Sequence, residues 1–207
     1  QKTMNFLSKN LSNVESIIKG NSRKFITKFQ HWLRENTLSR SKKNIHAHYD
    51  LGNAFYELWL DSSMTYSSAL FQNFEEEPLE SAQKNKYQKI IHSLNLKSGD
   101  NILEIGCGWG GFIEHASKLG INVTGLTISK EQFEYASSRI TNLGGTQKIL
   151  YEDYRVHEGL YDAVVSIEML EAVGSKYWNE YFNSIKRFLK SGCLLYTSPS
   201  PRDTTAS

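Results

Sequence analysis

From residue 101 onward, short apolar runs alternate with longer stretches in which apolar residues recur every three or four positions. The runs predict strands at 101–105, 122–126, 147–151 and 163–167, and the periodic stretches predict helices at 111–119, 130–143 and 176–189. Strand–helix alternation of this kind predicts an α/β fold with a mostly parallel sheet. Upstream, Leu79, Ala82, Ile90, Ile91 and Leu94 share one side of a helix that precedes the first strand, with Lys84, Lys86 and Lys89 elsewhere on it. A short helix is expected over 53–60. Nearer the start, Leu7, Leu11, Val14 and Ile18, then Phe25, Phe29, Trp32 and Leu33, fall at helical spacing on either side of Gly20-Asn21-Ser22. Residues 1–43 therefore read as two amphipathic helices.

The first strand runs into Gly106, Gly108 and Gly110 at alternate positions, and a helix opens just after them. Glycine there lets backbone approach a ligand closely. The spacing is not the Gly-x-Gly-x-x-Gly of a dinucleotide site, and no Lys-Ser/Thr follows to make a P-loop. Glu104, two residues before the first glycine, would repel a pyrophosphate but suits a ligand with an ammonium group, such as the methionine half of S-adenosylmethionine. A tight strand-to-helix turn without a ligand is the plainer alternative. In an open α/β sheet, ligands bind beyond the carboxyl ends of the strands where strand order reverses. The glycine turn, residues 127–132, Asp153-Tyr154 and residues 168–171 all fall at strand ends and should face one pocket.

With 207 residues, of which 39% are hydrophobic and 12% aromatic, the chain can form one full domain with an appendage. No run approaches the roughly 18 apolar residues of a membrane span, and no secretory leader opens the sequence, so a cytoplasmic protein is expected. Two cysteines, Cys107 and Cys193, are too few for a disulfide scaffold, and no Cys/His cluster has zinc-ligand spacing; a reducing compartment and no metal follow. The net charge of +2 hides a split: residues 1–50 hold 10 Lys and Arg against 3 Asp and Glu, leaving 14 against 19 for the remainder. The basic segment suits an anionic membrane surface, or is an ordinary solvated face. Nucleic acid is disfavoured, because no recognition element is present and the acidic remainder repels phosphates.

Two stretches, Asn-Ile-His-Ala-His-Tyr-Asp-Leu-Gly-Asn (44–53) and Ile-Leu-Glu-Ile-Gly-Cys-Gly-Trp-Gly-Gly (102–111), closely resemble the cyclopropane-fatty-acyl-phospholipid synthase family. Thr65-Tyr-Ser-Ser-Ala, Leu126-Thr-Ile-Ser-Lys-Glu-Gln, Asp153-Tyr-Arg and Ser166-Ile-Glu-Met-Leu-Glu-Ala-Val-Gly follow in the family's order, so the resemblance spans about residues 40–192. It implies a Rossmann-like class I methyltransferase fold over 44–192, preceded by the helical segment 1–43. It also implies an enzyme at the inner face of the membrane, with S-adenosylmethionine as cofactor and a phospholipid bearing an unsaturated acyl chain as substrate. A methyl group passes to the cis double bond, and loss of a proton closes a cyclopropane ring. Homodimerisation is a further option.

By matching positions, the resemblance implies that Gly106, Gly108 and Gly110, with Glu104, line the cofactor. Thr127 and Gln132 lie on its ribose or adenosine side, Asp153 and Tyr154 border adenine, and Tyr66 and Ser67 cover it. Bound bicarbonate serves as the base, oriented by Glu171. Ser68, Tyr49 and His48 complete the catalytic candidates. Tyr49, Phe55, Tyr56, Trp59 and Tyr66 could shield a carbocation, although core packing is the commoner role of such residues. Ser68 stands where the family has cysteine, and Ala172 where it has histidine beside the glutamate, so a related methyl-branching or other methyl transfer is the alternative activity. The stretch 193–207, with two prolines and six Ser/Thr residues, argues against sheet and helix alike. It reads as a disordered or foreign tail on a truncated domain with an incomplete catalytic centre. An inactive remnant that binds cofactor is accordingly a third reading.

Overall fold

Strand β1 (Asn101–Ile105) sends Ile102 into one core and Leu103 and Ile105 into another, as the two-residue period of a strand buried on both faces requires. The computed structural model describes residues 52–198 except 142, 144 and 145. All described residues belong to one compact unit. Its elements are α1 (Asn53–Glu57), α2 (Leu79–Ser93), β1, α3 (Gly111–Ser117), β2 (Asn122–Thr127), α4 (Lys130–Ile140), β3 (Lys148–Tyr151), β4 (Tyr161–Ile167), α5 (Leu170–Val173), a 3-10 turn (Ser175–Tyr177), α6 (Trp178–Phe188) and β5 (Leu189–Ser198).

The five strands are all parallel, in the order β3-β2-β1-β4-β5. Glu104 of β1 stands opposite Gly125 of β2 and Val165 of β4. Chain order reverses between β1 and β4, so the crevice beyond their carboxyl ends is the topological switch point. Tyr87, Ile90 and Ile91 of α2 with Phe112 and Ile113 of α3 cover one face of the sheet, and Tyr181, Ile185 and Phe188 of α6 cover the other. Pro78 caps the start of helix α2, which has Glu80 in its first turn, and Asn95, just past its C-cap Leu94, takes the left-handed φ of 52° that asparagine tolerates.

Two expectations are corrected. Residues after Cys193 do form regular structure: Leu194 to Ser198 pair in register with Ala163 to Ile167 of β4. Gly192, within β5, takes a φ of 81° where the register with β4 shifts. Averaging over 193–207 hid the signal, because Leu194-Leu195-Tyr196-Thr197 is a strand-length apolar and β-branched run and both prolines lie beyond it. Lys86, placed away from the apolar side of α2, is in fact buried on it with Ala82 and Ile90. The segment 1–43, His48, Tyr49 and residues 199–207 lie outside the described residues.

Candidate active site

The turn after β1 is built by backbone. The Gly106 and Cys107 amides both donate to the Leu126 carbonyl at 3.0 Å, and the Gly110 amide donates to the Cys107 carbonyl at 3.0 Å. Gly106 and Gly108 have φ of 79° and 52°, where a side chain is strained. A Cβ on Gly106 would lie 3.1 Å from Met169 Sδ, whereas one on Gly108 would enter open space. The open side of Gly108 leaves main chain exposed to whatever occupies the crevice.

Around this turn the structure gathers residues from distant parts of the chain. Trp109 is buried, donates from Nε1 to Asn53 Oδ1 at 2.8 Å and packs with its ring tilted 4.9 Å from that of Tyr56, which fastens α1 to the turn. Tyr56 and Trp59 in turn meet Tyr66 at 5.7 and 5.3 Å. Tyr66 and Trp59 stay about half exposed, forming an aromatic rim rather than closed core. The intervening segment is tied down by Arg139 of α4, which donates to the carbonyls of Ser62 and Ser63, and by the hydroxyl chain Ser63–Thr65–Tyr87.

Glu104 is fully enclosed, and its Oε2 has no hydrogen-bond partner among the described residues. Burial drives its carboxyl well above the usual range, opposed by the positive charge of Lys86. An orphaned carboxyl oxygen two residues before a glycine turn fits a ligand that brings an ammonium group. Lys86 is itself pushed down to about 8 by burial, against the pull of Glu168, Asp61 and Glu104. Its ammonium donates to Ser67 Oγ at 2.5 Å and to the Ser68 carbonyl at 2.8 Å.

Beyond β2, Thr127 Oγ donates to Gln132 Oε1 at 3.0 Å, and Ser129 caps α4 by accepting from the Gln132 amide. Asp153, beyond β3, is buried and gripped by Arg155, whose Nε and terminal nitrogen donate at 2.9 and 2.6 Å. Tyr154 packs edge-on against Tyr181 at 5.3 Å. Beyond β4, Glu168 accepts from the Ser68 amide and hydroxyl at 2.8 and 2.5 Å. Glu171 opens α5 half buried, with its Oε2 enclosed. The nearby Tyr181 phenol is pushed up to about 12, chiefly by burial, with its bond to Ser166 lowering it and the charge of Glu171 raising it.

Thus Tyr66, Ser67, Ser68, Glu104, Gly106, Gly108, Gly110, Thr127, Gln132, Asp153, Tyr154 and Glu171 stand at or beyond the carboxyl ends of the strands, or against the segments that do. Glu168 falls in the 168–171 stretch expected at the pocket, though its bonds to Ser68 were not foreseen; nor were parts for Lys86, Arg155 and Tyr181. A lysine within the apolar stripe of α2 was the available signal for Lys86, whereas the strand-end position of Glu168 signalled the pocket but not its partner or its φ of 49°, which show only in three dimensions. A shallow depression of about 270 Å³ also lies between Asn101, Asn122, Lys148 and Tyr161, at the opposite, amino-terminal edge of the sheet. It holds none of this chemistry.

A family profile described as mycolic acid cyclopropane synthetase matches residues 34–204. A probable fatty acid methyltransferase of Mycobacterium tuberculosis is 42% identical over 160 residues, covering 76% of this chain and 37% of the relative. The cyclopropane-fatty-acyl-phospholipid synthase of Escherichia coli is 43% identical over 144 residues, covering 69% and 37%. The chain thus spans just over a third of the length of these two relatives. Among solved structures, a mycolic acid cyclopropane synthase complexed with SAH and CTAB superposes with a TM-score of 0.70 at 30% identity, covering 75% of this chain and 55% of that one.

Proposed function

The chain belongs to the mycolic acid cyclopropane synthetase family and has its class I methyltransferase fold, and from that premise we propose that it transfers a methyl group from S-adenosylmethionine to the cis double bond of an unsaturated phospholipid acyl chain, closing a cyclopropane ring. The observation that carries this reading is the glycine turn at the switch point, open above Gly108 and preceded by the orphaned carboxyl of Glu104. The cofactor, when bound, supplies a sulfonium-activated methyl group. Glu104 would meet its ammonium, Gly106, Gly108 and Gly110 its backbone-facing side, Thr127 and Gln132 its ribose or adenosine side, and Asp153 and Tyr154 its adenine.

The chain's own contribution is electrostatic and steric. An alkene that accepts a methyl cation becomes a carbocation, which needs a water-poor channel with electron-rich walls. Tyr56, Trp59 and Tyr66 supply such a wall at the mouth of the crevice. Glu171, with one oxygen enclosed, would hold bicarbonate and orient it for the proton that must leave on ring closure. Two bare anions would repel, so the carboxyl would hold the ion through a shared proton; replacing Glu171 with Gln removes that shared-proton contact while leaving the glycine turn intact.

The test uses the 207-residue chain with vesicles of dioleoyl phosphatidylglycerol and labelled S-adenosylmethionine, alongside calorimetry with S-adenosylhomocysteine (SAH). Label transfer, with upfield ring protons in the product's NMR spectrum, is expected. Label transfer without ring protons would favour the methyl-branching alternative, which the description of the first relative as a fatty acid methyltransferase supports. SAH binding without any transfer would favour the cofactor-binding remnant, and no SAH binding would refute the site.

A further inference from the structure

Two elements far apart in sequence both bind the Ser67-Ser68 pair. From α2, Lys86 donates to Ser67 Oγ and the Ser68 carbonyl, and Gln83 Nε2 donates to the Ser67 carbonyl at 2.9 Å. From the segment after β4, one carboxylate oxygen of Glu168 accepts both the amide and the hydroxyl of Ser68. Glu168 does this from a φ of 49°, a left-handed conformation that costs a non-glycine residue free energy and persists only when surrounding contacts hold it. Lysine is rarely buried without a charge partner; Lys86 is buried, feels the acidic groups Glu168, Asp61 and Glu104, and has the Tyr87 ring 5.2 Å away. The glycine turn alone requires none of these features.

We propose that Lys86 and Glu168 form a clamp of opposite charges that, acting through Ser67 and Ser68, holds the Tyr66–Ser68 segment against the crevice and sets the affinity for the sulfonium cofactor. Both are positioning residues, and the assignment rests on reading the glycine turn as the cofactor's seat. Hydrogen bonds with a charged partner are stronger than neutral ones, so the clamp weakens when either charge is lost. Burial has already brought Lys86 down to about 8. Its positive charge therefore disappears as the solution passes from neutral to pH 9.

Folding stability responds in the opposite sense. An unfolded lysine keeps its proton to about pH 10.4, so between about 8 and that value the unfolded chain binds more protons and this group's contribution to stability rises with pH. A residue that served folding alone would not lose cofactor affinity over the range in which its contribution to stability grows. Glu104 titrates as well, and for that reason the wild type is compared with Lys86→Arg, which keeps Glu104 and replaces the titrating charge by a permanent one.

SAH affinity is measured by calorimetry at pH 7 and pH 9 for the wild type, Lys86→Arg, Lys86→Met and Glu168→Gln, with amide exchange at Ser68 followed in each. Relative to Lys86→Arg, the wild type is expected to lose about tenfold in affinity between the two pH values, and Glu168→Gln to bind about tenfold more weakly at pH 7. Ser68 exchange should quicken in Glu168→Gln and Lys86→Met. Normal wild-type binding, with Glu168→Gln and Lys86→Met equal to it and a pH profile parallel to Lys86→Arg, would overturn the clamp alone. Absence of SAH binding by the wild type would overturn the cofactor reading and the clamp's effect on affinity together. Should Lys86→Met fail to fold, the partly exposed Glu168→Gln decides the matter.

Discussion

Glu104 is the residue at which stability and binding pull hardest against each other. Its carboxyl, raised well above its ordinary value by burial, stays protonated in the folded chain where the unfolded chain has already released the proton. The folded state then binds more protons, so this group's contribution to stability falls as pH rises above the ordinary carboxyl range. Replacing it with Gln removes the ionisation. We expect Glu104→Gln to equal the wild type near pH 4 and to exceed it by about 1–3 kcal/mol at pH 8 in urea denaturation, while SAH affinity drops about tenfold or more. Equal stability at both pH values would show that the carboxyl is not enclosed as described. Glu171, on the short α5, carries a different expectation. Glu171→Gln should lower turnover by at least about a hundredfold with SAH affinity within a factor of two of wild type, because the residue lies beyond β4 rather than in the glycine turn; turnover rates set against calorimetry would separate the two.

Elements transmit these residue effects through close backbone approach. A Cβ on Gly111, at the start of α3, would fall 2.9 Å from the Ser63 carbonyl and from the Tyr87 hydroxyl. A Cβ on Gly125, in β2, would fall 2.5 Å from Ile113 Cδ1 and 2.9 Å from Cys107 Cβ. Gly125→Ala therefore overpacks the layer beneath the turn and should cost about 1–3 kcal/mol, read as a lowered denaturation midpoint. Gly111→Ala should instead push away the segment that leads to Tyr66, and weaken SAH binding more than it lowers stability. The order of the elements was legible in the sequence because strands buried on both faces and amphipathic helices differ in period: β1 was anticipated at 101–105, and α4 was anticipated to start at Lys130. The glycine turn and Glu104 were legible for a similar reason, since a local motif needs no knowledge of distant partners. The burial of Lys86 and the pairing of Glu168 with Ser68 were not, because a burial or a φ imposed by partners 18 to 100 residues away leaves no local trace. Strand β5 was missed because pairing with β4 supplies the stability that its own short run lacks.

At the scale of the whole molecule, the lipid surface proposed as substrate could attract the chain in two ways that respond differently to salt. Among the described residues no helix is long and apolar enough to cross a membrane. Residues 1–50 carry an excess of seven positive charges, and each basic side chain near an anionic surface contributes about 1 kcal/mol that falls away within a Debye length of about 10 Å at 0.1 M salt. Leu58, Trp59, Tyr66 and Phe74 meanwhile expose 81%, 44%, 50% and 67% of their surface, and burial of such side chains in acyl chains is insensitive to salt. Co-sedimentation should therefore show binding to phosphatidylglycerol vesicles that weakens about tenfold or more between 0.05 and 0.5 M salt, over a smaller residue of salt-resistant binding that Trp59→Ser with Leu58→Ser removes. Equal binding to neutral phosphatidylcholine vesicles at low salt would rule out the basic segment as the anchor. Loss of the salt-dependent component in the double serine variant would instead place the attraction at these apolar side chains, because those substitutions leave every charge in the chain unchanged.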